Sequence, residues 1–378
     1  MIKRLIIATG GTGGHIYPAI AVADCVKDLH PETEILFVGT KRMEAGLIPK
    51  FGYPFSSIHI KGFDREISIK SIYKNFVNLC CLVLGISLFQ AIRIIVKFKP
   101  DVILGAGGYP CGPVILAGYL MGIPGVIMEQ NAVSGLTNRI LSHIVKGAAL
   151  GFDSSCKLFQ KIKYCEVTGT PVRDSIIKAL REDGLKFFNL DPKKKTILVF
   201  GGSLGSKNIN LGFVGALKKI ERNYPEIADK IQIIHSTGKR DYSLVIKESD
   251  GLKIDYQVFE FIDSMHLAYA SSDLVIQRAG GVSIAEVACR GLPSIVIPWK
   301  GAAGDHQKMN ADLLAQNDAA VVITDDVLTD EILAEKLINL MKNEARLKDL
   351  ASNNEKFGRT DATLKIAILL QKVASLKK

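Results

Sequence analysis

The same sequence pattern occurs once in each half of the chain, and this repetition constrains the fold more than any other feature. Residues 3–26 read KRLIIATGGTGGHIYPAIAVADCV, and residues 194–217 read KKTILVFGGSLGSKNINLGFVGAL. Each segment has a basic start, an apolar run of strand length, a glycine-rich loop with a small hydroxyl residue, and a stretch of helical length. A strand that leads through glycines into a helix is typical of the first unit of a Rossmann-like domain. We therefore predict two such domains in tandem.

Apolar strand candidates alternate with helical stretches in both halves, which predicts doubly wound α/β domains with parallel sheets. In the first half the predicted strands are Lys3–Ala8, Ile35–Val38, Asp101–Leu104, Gly125–Met128 and Ala148–Gly151. In the second half, after the apolar run at 194–200, they are Ile231–His235, Ile254–Phe259, Leu274–Ile276, Ser294–Pro298 and Ala320–Ile323.

The predicted domains are residues 1–170 and 171–354. Pro171 restricts Thr170 to extended backbone, which suits a crossing between domains near GTPVRDS at 169–175. The last segment, about 355–378, has the pattern of an amphipathic helix. We expect it to pack back on the first domain, although periodicity by itself does not choose between the two domains.

Four glycine-rich loops follow predicted strands: GGTGGH (10–15), GAGGYPCGP (105–113), GGSLGS (201–206) and RAGGVS (278–283). Small residues let a phosphate approach the backbone, and the next helix offers free N–H groups and a positive dipole end. One such loop is weak evidence, because tight turns also use glycine, but four favour a phosphate-containing ligand. The first loop is neither a dinucleotide fingerprint, since Ile16 replaces its third glycine, nor a Walker A loop, since no GK[ST] follows.

The third loop also fits the GxSxG pattern of serine hydrolases, with Ser203 as nucleophile and Asp273 and His306 following in hydrolase order. The corresponding position of the first loop is Thr12, not serine. This favours phosphate binding, and the hydrolase stays an alternative.

The overall charge favours acidic partners, because the 378-residue chain has a formal net charge of +10. Nucleic acid is disfavoured, since the basic residues are not interleaved with aromatic residues in a known module. The seven cysteines form no CxxC pair, which suits a reducing compartment and argues against structural zinc. The N-terminal apolar run is short and ends in glycines, so we predict a first strand instead of a signal peptide.

Residues 76–96 are apolar enough to suggest a membrane helix, although Asn78, Gln90 and Arg93 interrupt them. Across 61–99, seven Lys or Arg residues stand against two acidic residues. We expect this basic apolar region to dock on an anionic membrane surface. An ordinary core helix and a transmembrane span are the alternatives, and a span would separate the strand at 101–104 from its sheet.

These motifs together resemble the MurG family of bacterial glycosyltransferases, within glycosyltransferase family 28, over nearly the whole chain. The matching segments, in order, are GGTGGH (10–15), RMEAGLIP (42–49), KPDVILGAGGYPCGP (99–113), EQNAVSGLTNR (129–139), GTPVR (169–173), GGSLG (201–205), FIDSM (261–265), RAGGVSIAE (278–286), GLPSIVIP (291–298) and DHQKMNA (305–311). The chain departs from the family pattern at Leu204, Thr170 and Gly281, where glutamine, asparagine and alanine are common.

The resemblance implies a GT-B fold, in which two Rossmann-like domains face a central cleft. It implies inverting transfer of N-acetylglucosamine (GlcNAc) from UDP-GlcNAc to the C4 hydroxyl of N-acetylmuramic acid in lipid I, undecaprenyl-diphospho-MurNAc-pentapeptide, which gives lipid II for peptidoglycan. Such an enzyme is peripheral, at the cytoplasmic face of the bacterial plasma membrane, and has other cell-wall synthesis proteins as potential partners. We expect no cofactor and no metal, because the chain contains no DxD triplet.

The candidate general base is His15 or Glu129, since an imidazole titrates near pH 6.5 and an active-site carboxylate can follow a strand. The resemblance implies that Glu286 binds the ribose hydroxyls, Gln307 the donor sugar, and the Ile262 backbone the uracil. The full predicted set of substrate-binding residues is Thr12, Gly13, Gly14, Tyr109, Asn131, Arg173, Ser203, Ile262, Gly281, Val282, Ser283, Ile284, Ala285, Glu286 and Gln307.

Two other classes of function stay open at this point. A different UDP-sugar enzyme of the same fold, such as a UDP-GlcNAc 2-epimerase or a glycolipid synthase, would share the nucleotide loops. A nucleotide-binding protein without turnover would bind UDP-GlcNAc and leave it intact.

Overall fold

A computed structural model describes residues 2–60, 85–202 and 204–376. The chain divides into two compact units, Met1–Pro171 together with Asp361–Lys378, and Val172–Thr360. The chain thus returns to the first unit at Asp361, whereas the sequence analysis predicted that this last segment begins at about residue 355.

The described part of the first unit contains a parallel sheet of seven strands in the order β3-β2-β1-β4-β5-β6-β7. Its strands are β1 Arg4–Ala8, β2 Glu34–Gly39, β3 Phe55–Ser57, β4 Val102–Gly105, β5 Gly125–Glu129, β6 Gly147–Leu150 and β7 Tyr164–Val167. Within the described residues, its α-helices are α1 Gly13–Leu29, α2 Met43–Leu47, α3 Ser87–Phe98, α4 Cys111–Leu120, α5 Leu136–Leu141, α6 Cys156–Phe159 and the last helix, α17 Ala362–Ala374. The sequence prediction missed β3 and β7, which are short edge strands without a continuous apolar run.

The second unit contains a parallel sheet of six strands in the order β10-β9-β8-β11-β12-β13. Its strands are β8 Lys195–Phe200, β9 Ile231–Ser236, β10 Asp255–Phe259, β11 Leu274–Gln277, β12 Ser294–Val296 and β13 Val321–Val322. Its helices are α7 Asp174–Lys178, α8 Arg181–Phe187, α9 Lys207–Asn223, α10 Pro225–Ala228, α11 Tyr242–Glu248, α12 Met265–Ser271, α13 Gly281–Cys289, α14 His306–Gln316, α15 Asp330–Lys342 and α16 Glu344–Glu355.

Both sheets are built in the same order: the third strand lies at one edge, then the second, the first, the fourth and the fifth. The winding direction reverses between the first and fourth strands, and open α/β sheets bind ligands beyond the carboxyl ends at this point. The four glycine-rich loops follow β1, β4, β8 and β11, which are the strands on either side of the two reversals. The prediction of two Rossmann-like parallel-sheet domains is confirmed.

The last helix, α17, belongs to the core of the first unit. Ile366, Leu370 and Val373 are fully buried in the same apolar cluster as residues of β1 and α1. At the helix surface, Lys372 Nζ donates to Glu166 Oε1 of β7 at 3.0 Å. The side of the sheet against α1 is therefore completed by residues from the far end of the chain.

The predicted membrane-docking region, 61–99, lies largely outside the described residues. Its described part forms α3, a helix of 12 residues. Within the described part of the chain, every helix is too short or too polar to cross a bilayer.

Candidate active site

His15 lies in the first turn of α1, directly after the loop that follows β1. Its Nδ1 is 3.1 Å from the carbonyl oxygen of Gly10. A carbonyl oxygen only accepts hydrogen bonds, so Nδ1 carries the proton of the neutral ring and Nε2 carries the lone pair. The contact with the Gly10 carbonyl thus selects one tautomer of the neutral ring.

The loops after β1 and β4 touch each other through glycines. Gly107 has a φ of +114°, and a Cβ there would lie 2.4 Å from Cδ2 of His15. Gly108 has a φ of +89°, and a Cβ there would lie 2.2 Å from the carbonyl oxygen of Gly10. Both glycines therefore make room for the His15 loop, and the phosphate contact that the sequence suggests for this loop stays a prediction. Tyr109 follows them and is half-buried.

The contact between these two loops also includes the buried side chain of Cys111. Its Sγ donates to the Ala8 carbonyl and accepts from the Gly107 amide, both at 3.2 Å. Burial raises the pKa of this thiol to about 12. The side chain is therefore a neutral thiol that joins the two loops.

Glu129, the competing base, is the last residue of β5 and is only 3% exposed. Its Oε2 accepts from the Gly135 amide and from Asn138 Nδ2, both at 2.9 Å. Its Oε1 accepts from the Asn131 amide at 3.2 Å and from the side-chain nitrogen of Asn131 at 3.4 Å. Four donors thus surround this carboxylate, which suits a residue that shapes the 130–138 loop and positions Asn131.

In the second unit, Glu286 lies in α13, the helix that follows the RAGGVS loop. Its carboxylate accepts from the Tyr269 hydroxyl at 3.0 Å and lies 4.0 Å from the Arg173 guanidinium. Burial raises the pKa of Glu286, and Arg173 and Tyr269 oppose that shift. Burial and Arg173 lower the pKa of His266. Two of the predicted nucleotide residues, Arg173 and Glu286, are thus brought together.

The other predicted residues of this unit lie on three separate segments, which follow β10, β11 and β12. Ile262 is buried in the apolar cluster beside β8 and β11. Ser283 Oγ donates to the Gly280 carbonyl at 3.1 Å, and Gly281, Val282, Ile284 and Ala285 complete the first turns of α13. Gln307 Oε1 accepts from the Trp299 amide at 2.9 Å. Ser203 lies outside the described residues.

Arg278 is a residue whose role sequence reasoning missed. Its guanidinium donates to Ser206 Oγ at 2.6 Å, to the Ile297 carbonyl at 3.2 Å and to Asp325 Oδ1 at 2.9 Å. These partners lie on the loops after β8, β12 and β13, so one buried side chain joins four adjacent loops of the sheet edge. The sequence signal for this role was the arginine at the start of RAGGVS, because a buried guanidinium needs several hydrogen-bond acceptors.

The hydrolase interpretation of GGSLG is wrong. Asp273 precedes β11 and accepts from the Thr196 amide at 2.8 Å and from Arg181 at 3.0 Å. It therefore lies at the amino end of the sheet, whereas the 201–206 loop lies at the carboxyl end, roughly 20 Å away for a six-residue strand. Asp273 is therefore too far from the described residues of that loop to act as the acid of a catalytic triad there.

Two family descriptions match the chain: the glycosyltransferase family 28 N-terminal domain over residues 5–150, and the family 28 C-terminal domain over residues 196–366. A relative from Desulforamulus reducens, named UDP-N-acetylglucosamine--N-acetylmuramyl-(pentapeptide) pyrophosphoryl-undecaprenol N-acetylglucosamine transferase, is 39% identical and aligned over 98% of both chains. The chain belongs to glycosyltransferase family 28. The resemblance drawn from its motifs is confirmed.

One solved structure agrees with the family 28 assignment, and a second shares the fold. The crystal structure of MurG from Acinetobacter baumannii superposes with a TM-score of 0.73 at 29% identity, covering 98% of this chain and 99% of that one. UDP-GlcNAc 2-epimerase from Neisseria meningitidis gives a TM-score of 0.67 at 16% identity, covering 98% and 100%. The second likeness extends to the fold alone.

Proposed function

We propose that this family 28 protein transfers GlcNAc from UDP-GlcNAc to the C4 hydroxyl of the muramyl sugar of lipid I, with inversion, to give lipid II. The observation that carries the proposal is full-length similarity, at 39% identity, to a relative named for transfer onto pyrophosphoryl-undecaprenol N-acetylmuramyl-pentapeptide. The epimerase alternative has only the fold in its favour.

The donor half of the reaction is assigned to the second unit. The first turn of α13 presents backbone N–H groups and a positive dipole end, which stabilise the negative charge that builds on the leaving diphosphate. Glu286, held by Tyr269, accepts hydrogen bonds from the ribose hydroxyls. Arg173 adds positive charge beside the nucleotide, and the Ile262 backbone and Ser203 keep their predicted contacts with uracil and phosphate.

The acceptor half is assigned to the loops of the first unit, with His15 as general base. The Gly10 carbonyl holds the Nδ1–H tautomer, so Nε2 takes the proton of the C4 hydroxyl as it attacks the anomeric carbon. Thr12, Gly13, Gly14, Tyr109 and Asn131 contact substrate in this proposal. Glu129 acts through Asn131 as a positioning residue.

The decisive experiment follows labelled GlcNAc from UDP-GlcNAc in the presence and absence of a lipid I analogue. Transfer of label to the muramyl sugar only when the acceptor is present is the expected result. Consumption of the donor without acceptor would favour the epimerase. Binding of UDP-GlcNAc without any turnover would favour the nucleotide-binding protein.

We also propose that the first unit docks on an anionic membrane surface, where its lipid-linked acceptor lies. The helix α3 carries the exposed side chains Ile86 (at its N-cap), Phe89 and Val96, and Arg93 lies 5.8 Å from the Phe89 ring centre. The neighbouring helix α4 ends in the exposed run Tyr119, Leu120 and Met121. Apolar side chains with adjacent basic groups suit an interface with anionic lipid.

A further inference from the structure

Trp299 is the only tryptophan of the chain, and it lies on the loop that follows β12. Its side chain is 47% exposed. A Cβ at Gly301 would lie 2.6 Å from Cζ2 of the indole, so the ring rests against the Gly301 backbone. A large aromatic surface is thus supported from one side and left open on the other.

Two hydrogen bonds, both made by side chains of α14, connect Trp299 to the RAGGVS loop (278–283) of the second unit. The Trp299 amide donates to Gln307 Oε1 at 2.9 Å. Asn310, one turn further along α14, donates from Nδ2 to the Ala279 carbonyl at 2.9 Å. Residues three apart on a helix share a face, so Gln307 and Asn310 both lie on the side of α14 that meets the RAGGVS loop.

The pairing of strands in the second sheet also places Trp299 near the RAGGVS loop. β11 and β12 are paired neighbours, with Gln277 opposite Val296, so their following loops leave the sheet side by side. Arg278 bridges those loops through its hydrogen bond to the Ile297 carbonyl. The indole therefore lies at the carboxyl edge of the sheet, beside the glycine loop that precedes α13.

We propose that the indole of Trp299 packs against the pyranose ring of the donor and contributes to selection of the sugar. One face of a pyranose exposes C–H groups, which pack against the electron-rich face of an aromatic ring. Gln307 supplies the polar contact and Trp299 the apolar one, the combination that ligand sites use to fix orientation. This inference rests on the proposed function, because it takes UDP-GlcNAc as donor.

The test uses the fluorescence of this single tryptophan in the full-length wild-type protein, titrated with UDP and with UDP-GlcNAc. We expect UDP-GlcNAc to change the emission and UDP alone to leave it nearly unchanged. Calorimetry on the Trp299→Ala variant should show roughly tenfold weaker binding of UDP-GlcNAc, with UDP binding within about twofold of wild type. Trp299→Phe should keep most of the affinity, which provides a second variant if the alanine protein does not fold.

Phe187→Ala is the matched control, because Phe187 is a similarly exposed aromatic residue of the same unit on α8. It should bind both ligands as wild type does. Equal emission changes with UDP and UDP-GlcNAc, or an equal affinity loss for both ligands, would overturn the proposal. So would an emission change caused by anionic vesicles without nucleotide, which would indicate a lipid contact. If wild-type protein does not bind UDP-GlcNAc at all, the proposed function fails as well.

Discussion

His15 and Glu129 illustrate how two residues with the same apparent role in the sequence differ in their surroundings. Both follow strands of the first sheet, and both are chemically able to accept a proton. In the structure, one backbone carbonyl orients the His15 ring, whereas four donors surround the Glu129 carboxylate. The difference lies in the loops that the side chains contact, and it yields opposite mutational signatures.

His15→Ala should lower kcat by about 10²–10⁴-fold with little change in thermal stability, because it removes a proton acceptor from a partly exposed position. Glu129→Ala should lower the free energy of unfolding by about 2–3 kcal/mol, because it leaves buried donors without their charged acceptor. Steady-state kinetics and thermal denaturation of both variants separate the two roles. A near-normal kcat for His15→Ala would rule out His15 as the base.

Because of His235, we predict that the second unit becomes less stable as the pH falls. This fully buried ring contacts Asn210 Oδ1 at 3.0 Å, and burial lowers its pKa from 6.5 to about 3. Between those values the unfolded state binds a proton that the folded state does not, so stability falls as the pH falls below 6.5. From pH 7 to pH 5 this group should remove about 2 kcal/mol of unfolding free energy.

Chemical denaturation of wild type and His235→Gln at several pH values measures this contribution. The variant is expected to be less stable at pH 7 but to lose about 2 kcal/mol less on acidification to pH 5. Parallel stability curves for the two proteins would show that His235 does not titrate in this way.

At the scale of elements, a largely buried ion pair joins two loops of the second sheet. Arg278 and Asp325 each have only 11% of the side chain exposed, and their charged atoms are 2.9 Å apart. Asp325→Ala should destabilise the protein by about 3–5 kcal/mol, because a buried guanidinium loses its counter-charge. Asp326→Ala, at the exposed neighbouring position, is the control and should change the denaturation midpoint little. Equal effects of the two substitutions would contradict this role.

The last helix gives a second prediction at this scale. Ile366 of α17 is fully buried in the core of the first unit, whereas Leu364 of the same helix is 42% exposed. Ile366→Ala should lower the free energy of unfolding by about 2–5 kcal/mol, since a cavity forms in the core. Leu364→Ala should have a much smaller effect in the same denaturation experiment. Similar values would indicate that α17 does not complete this core.

For the whole molecule, the proposed membrane docking assigns lipid contact to one unit only. Phe89 on α3 of the first unit and Phe187 on α8 of the second are about equally exposed, at 60% and 59%. Phe89→Glu should weaken binding to vesicles containing anionic lipid by roughly tenfold or more, because it replaces apolar area that docking would bury with a charge that anionic lipid repels. Phe187→Glu adds the same charge to the second unit, outside the proposed docking helix, and should bind as wild type in a vesicle co-sedimentation assay. Equal weakening by both would point to net charge instead of a docking surface.

The sequence by itself determined the two-domain α/β plan, because repeated strand–glycine–helix units and apolar periodicity are local signals. It also located the four glycine-rich loops that follow strands, and it identified the family. It did not reveal that Gly107 and Gly108 serve contact between loops, that Glu129 is enclosed by donors, or that Arg278 joins four loops. Those facts depend on which strands are neighbours, and neighbours in the order β3-β2-β1-β4 come from distant parts of the chain. Tertiary structure decided them because hydrogen bonding and burial act over distances of a few ångströms, whatever the separation along the sequence.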